Sequence, residues 1–115
     1  MEGLQNCEEQ KNTIKEVAKK FLQNEFGLII AFVKVLLDQS ILVIRAENFV
    51  CPAEVKASAD SGGAALIHEA YARQFDKSKM LLVEQIESIT GKKVVSDQIG
   101  INFTSRDFLM TFFLE

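Results

Sequence analysis

A chain of 115 residues has room for one hydrophobic core and not two, so a single domain spanning 1–115 is expected. Its 48% hydrophobic and 25% charged content excludes a disordered chain. The net charge of −3, with Lys11, Lys15, Lys19 and Lys20 set among Glu8, Glu9 and Glu16, excludes nucleic acid as the main partner, because phosphate binding needs clustered cations.

The first element is an amphipathic helix. Ile14, Val17, Ala18, Phe21, Leu22 and Phe26 recur at helical spacing, and Thr13 followed three residues later by Glu16 is a capping-box pattern that predicts a start near Asn12 or Thr13. Gly27 supplies the stop. Residues 28–37 form an apolar run rich in β-branched side chains and read as a strand, "DQS" (Asp38 to Ser40) as a hairpin turn, and 41–47 as the returning strand. Pro52 suits a first helical turn and predicts a short connecting helix over about 52–60, interrupted by "DSGG".

A long helix is predicted from Ala64 to Thr90, with Ile67, Ala70, Tyr71, Phe75, Leu82, Ile86 and Ile89 on one stripe and Gly91 as its stop. From Val95 to Phe103 the odd positions are mostly apolar, "TSRD" turns the chain, and "FLMTFFL" completes a second hairpin. The chain therefore repeats helix–Gly–hairpin, in units of about 12–47 and 64–115, with the two glycines 64 positions apart (27 to 91). An isolated hairpin is marginal, so the units are expected to combine into an α+β two-layer sandwich: an α-β-β pseudo-repeat with a four-stranded, mostly antiparallel sheet and a long helix.

Strands 28–37 and 108–114 read as apolar on both faces, more than one helical layer covers. Phe32, Leu36, Ile41, Val43, Phe108, Met110, Phe112 and Phe113 are accordingly the interface candidates, together with Leu28 and Ile30, and a homodimer is expected, with cover by the long helix or the N-terminal tail of the same chain as the alternative. It is expected to bury Phe32 and at least one of Phe108, Phe112 or Phe113 between chains.

Chemistry is sparse. His68, the sole histidine, lies beside the helical stripe with no ligand at i+4, so it reads as a surface residue. Cys51 precedes the predicted helix start, where a dipole lowers a thiol's pKa, but only His68 could serve as its base. "DSGGAAL" lacks the ending of a phosphate-binding loop and reads as a helix start or hinge, with a small anion at the Ala64 end as the lesser alternative. Glu54, Asp60, Asp76, Glu84 and Glu87 read as solvated helix faces. Asp97 shares a strand face with Val95, Ile99 and Ile101, which predicts an edge location or a partner such as Lys34 or Arg45 before catalysis. No metal, cofactor or catalytic residue is assigned. Two cysteines do not make a disulfide framework, the acidic start is unlike a secretion signal, and the longest apolar run, broken by Lys34, is about half the roughly 20 residues of a spanning helix. A cytoplasmic location is expected.

"PAE" (Pro52 to Glu54), the glycine at Gly62 or Gly63, the long helix ending in "ITGKKVVS" (Ile89 to Ser96) and the following hairpin together resemble the bacterial MpsC-like family, once known as a domain of unknown function. "FG" (Phe26, Gly27) and "ILVIRAENF" extend the resemblance over nearly the whole chain. The chain departs from the family pattern in having Cys51 where a threonine is usual and no glycine in "TSRD". The resemblance implies a component of a Na+-translocating, membrane-potential-generating system linked to ion or bicarbonate handling, and it carries no catalytic residues. A non-enzymatic accessory protein acting by protein–protein contact, with a membrane-complex partner, is the first expectation. A small-ligand-binding or sensory module is the alternative, and an enzyme using Cys51 or Asp97 the third.

Overall fold

The computed structural model describes residues 7–49, 61–102 and 105–115. Helix α1 (Cys7–Phe26) leads to strands β1 (Phe32–Leu37) and β2 (Ile41–Glu47), and helix α2 (Ser61–Thr90) leads to strands β3 (Val94–Asn102) and β4 (Asp107–Leu114). The strands form one antiparallel sheet in the order β1-β2-β4-β3, with α1 over the β1 side and α2 over the β3 side of the same face. The expected α+β architecture and its repeated helix–hairpin order are thus present among the described residues. The predicted helix over 52–60 lies outside them.

Each helix ends as its glycine dictates. Gly27 (φ 67°) and Gly91 (φ 70°) adopt the left-handed conformation, and their N–H groups donate to Gln23 and Glu87 carbonyls at 3.1 and 2.9 Å. The helix starts differ from expectation. α1 already runs from Cys7, with Glu8 and Glu9 in its first turn, so Thr13 is interior and its hydroxyl donates back to the Glu9 carbonyl at 2.9 Å. α2 includes Gly62 and Gly63 within its span, so they form no loop before a helix.

The hairpin turn at Asp38 closes through its side chain: Oδ1 accepts from the Ser40 and Ile41 N–H groups at 2.8 and 2.9 Å. The incoming chain is not one strand from residue 28. Leu28 and Ile30 are buried, Ala31 bends, and from Phe32 the alternation restarts one residue out of phase, so Val33, Val35 and Leu37 also turn inward. A register shift between Val94 and Ser96 does the same to β3, leaving Val95 50% exposed and placing Val94 with Asp97, Ile99 and Ile101 on the inner face.

The core joins Ile14, Phe21 and Leu22 of α1 and Tyr71, Phe75, Leu82 and Ile86 of α2 to Leu42 and Ile44 of β2 and Phe108, Met110, Phe112 and Leu114 of β4. Ser78, also on this face of α2, disposes of its hydroxyl by donating to the Gln74 carbonyl at 2.7 Å. The register explains why the centre is dense: β2 and β4 pair about Ile44 opposite Met110, so the pseudo-repeat brings the fully buried inward positions of these two strands together in the middle. This corrects the expected interface. Phe108, Met110 and Phe112 are completely buried under the helices, because on β4 the even positions are the inward ones.

Candidate functional site

The sheet's other face carries no helix among the described residues. Pairing arranges it in rows: Phe32, Glu47, Asp107 and Asn102; then Lys34, Arg45, Leu109 and Gly100; then Leu36, Val43, Thr111 and Gln98; then Ile41, Phe113 and Ser96. Phe32 and Leu36 are 62% and 67% exposed and Leu109 is 38% exposed, while Ile41, Val43 and Phe113 are half-buried by their neighbours. Of the sequence candidates, Phe32, Leu36, Ile41, Val43 and Phe113 thus share this face, and Leu28 and Ile30 are core. Leu109 was missed because its exposure depends on which face the helices chose.

Across this apolar field runs a charged network. Lys34 Nζ lies 3.5 Å from Glu47, Arg45 Nε 3.5 Å from Glu47, and Arg45 donates to Asp107 Oδ2 at 2.8 Å, which also accepts from the Ser105 hydroxyl at 3.0 Å. The Arg45 hydrogen bond, with a smaller contribution from Ser105, holds the Asp107 carboxyl below its ordinary value of 3.8. A depressed carboxylate stabilises the fold above its unfolded pKa and loses that contribution as pH falls through the lower folded value. The Asp107→Asn variant should therefore be less stable than the parent at neutral pH, and the difference should close below pH 3.8. Urea midpoints of both proteins from pH 2 to 7, stepped at about one unit, check this; a gap that widens in acid would reverse the assignment.

Arg45, Gly100, Ile101, Asn102, Ser105, Asp107 and Leu109 line a hollow of about 470 Å³ at the β3 side of this face. Gly100 is among its lining residues; it adopts no left-handed φ, and its added Cβ would meet nothing within 4 Å among the described residues.

The candidate chemical residues do not converge here. Asp97 lies on the inner face of edge strand β3, and its partner is neither Lys34 nor Arg45 but Lys79 of α2, at 3.2 Å. His68 is exposed on α2, and Cys51 and Asp60 lie outside the described residues. Glu87, read as solvated, instead accepts from the Val94 N–H at 2.9 Å and fixes the helix-to-strand junction, while Asp76 and Glu84 are exposed. Among the described residues no group of three or more His, Cys, Asp or Glu side chains could hold a metal ion, and no helix is long and apolar enough to cross a membrane.

A family model described as the Na+-translocating membrane potential-generating system (MpsC) matches residues 7–115. Neither the curated proteins nor the solved structures contain a match.

Proposed function

The chain belongs to the MpsC family, and on that premise we propose that it is a non-enzymatic accessory protein of a Na+-translocating membrane system, acting on the cytoplasmic side by protein–protein contact. The single observation that carries this reading is the outer face of the sheet, where Phe32, Leu36 and Leu109 stand in solvent on a four-stranded frame. Apolar groups grouped on one face favour association, since each forgoes roughly 1.5–3 kcal/mol when left wet. The titratable groups beside them, Lys34, Arg45, Glu47 and Asp107, are spent on one another in ion pairs rather than aimed at a reacting centre.

The small-ligand reading has less support, because Tyr71, Phe75, Leu82, Phe108, Met110 and Phe112 fill the space between α2 and the sheet with apolar core. The test is purification of the tagged chain from its own cells in mild detergent, with mass spectrometry of what accompanies it. Recovery of an integral membrane transport subunit is the expected result. Recovery of the chain alone, or with water-soluble partners only, would overturn the reading.

A further inference from the structure

We propose that the inward charge of Asp97 is an edge guard: it keeps the open side of β3 from adding a strand of another chain, and the fold itself does not need it.

An open sheet has two edges, and each presents a row of backbone N–H and C=O groups that invites pairing with a further strand. Here the edges are β1 and β3, and no described strand lies beyond either. They are unequally protected. β1 is six residues long, begins after the bend at Ala31, and carries the exposed Lys34. Short length and an edge lysine both disfavour edge-to-edge pairing. β3 is nine residues long, Val94–Asn102, and contains no lysine, arginine or proline. Its irregularity between Val94 and Ser96 protects only its start. Asp97 is the one charge in the strand. With an apolar residue in its place, Val94–Asn102 would be an uncharged, proline-free edge rich in Val and Ile, the pattern that pairs most readily between chains.

Asp97 stands where such a guard has to stand. Its neighbour across the ladder is the fully buried Phe112 of β4, and its other side is the open edge. Lys79 of α2 reaches down to it, Nζ lying 3.4 and 3.2 Å from its two oxygens, and holds the carboxylate on the inner face. The pair keeps some water, the side chains being 17% and 30% exposed. A strand added along β3 would set its own inward side chain against the pair and strip that water away. The charges would lose hydration without gaining a partner, a cost that the isolated sheet never meets.

The pseudo-repeat shows that the fold can do without the charge. Val33 stands six positions after Gly27, as Asp97 stands six after Gly91, and it faces the core from the other edge strand. The equivalent place thus accepts a β-branched apolar residue. Nor is the carboxylate there for surface solvation, since it is aimed at the helical layer. The device is indifferent to what the outer sheet face meets, because edge pairing uses backbone groups and not that face.

Asp97→Val is the test. Lys79 still has Asp76, 3.9 Å away on its own helix, so the variant should fold with a near-parental urea midpoint. Sedimentation velocity from micromolar to submillimolar concentration should show its association constant raised at least about tenfold over the parent's. Hydrogen exchange read by mass spectrometry should place the added protection in residues 94–102, with none in 32–37. Asp97→Glu, which keeps the charge, should sediment as the parent does. If Asp97→Val fails to fold, Lys79→Met with Asp97→Val takes its place, since it leaves neither partner of the pair behind. A folded valine variant that associates no more than the parent would overturn the proposal, as would added protection on β1 or equal assembly by Asp97→Glu. Failure of both valine variants to fold would overturn it too, because the charge would then belong to the fold.

Discussion

The Phe112→Ala variant is expected to lose about 3–5 kcal/mol of folding stability, the range for removing a buried aromatic ring from a packed core. Phe112 lies on central strand β4 with no exposure, and its ring centroid is 6.3 Å from that of Phe75 on α2. Truncation leaves a cavity that strands on both sides and the helix above cannot close without breaking pairing. Small domains are stable by only about 5–15 kcal/mol, so the loss would be visible as a large fall in urea midpoint. Leu109→Ala, one strand face away, should change the midpoint little at concentrations where the chain is unpaired. A Phe112→Ala protein with near-parental stability but lost association would return Phe112 to the interface, as its sequence pattern alone suggested.

Lys79→Met is expected to lower stability by about 2 kcal/mol, because it strands a carboxylate that folding has largely removed from water. Asp97 has a side chain only 17% exposed, and Lys79, 30% exposed, supplies its close cation at 3.2 Å. Asp97 stands six positions after Gly91, as Val33 stands six after Gly27, so an apolar residue already occupies the corresponding place in the first hairpin. The double variant Lys79→Met with Asp97→Val should therefore recover most or all of the loss, since replacing a buried ion pair by packed apolar groups is often neutral or stabilising. Chemical denaturation of the parent, both single variants and the double one decides it. A double variant as unstable as Lys79→Met would mean that the lysine stem, not the charge pair, is what β3 needs.

The sequence by itself determined the order of elements, the two helix stops and the hairpins. Gly27 and Gly91 punctuate helical periodicity at positions where few other residues can adopt the required φ, and that signal is local. The buried stripes of the helices, Ile14 through Leu22 and Tyr71 through Ile86, were legible for the same reason. The first turns were not. A capping-box pattern at Thr13 is a local option, and it lost to a helix that already runs from Cys7.

Only the tertiary structure decided which face of the sheet is inside. Strands that are apolar on both sides carry no periodic signal for that choice; it falls to where the helices land and to single-residue slips at Ala31 and Val95 that reverse the parity of everything beside them. The choice buried Phe108, Met110 and Phe112, left Phe32, Leu36 and Leu109 outside, and joined Asp97 to Lys79, 18 positions away in the chain. The hollow above Gly100 is a product of the same choice, because it exists only once β4 lies between β3 and β2 and sets Arg45 and Asp107 beside it.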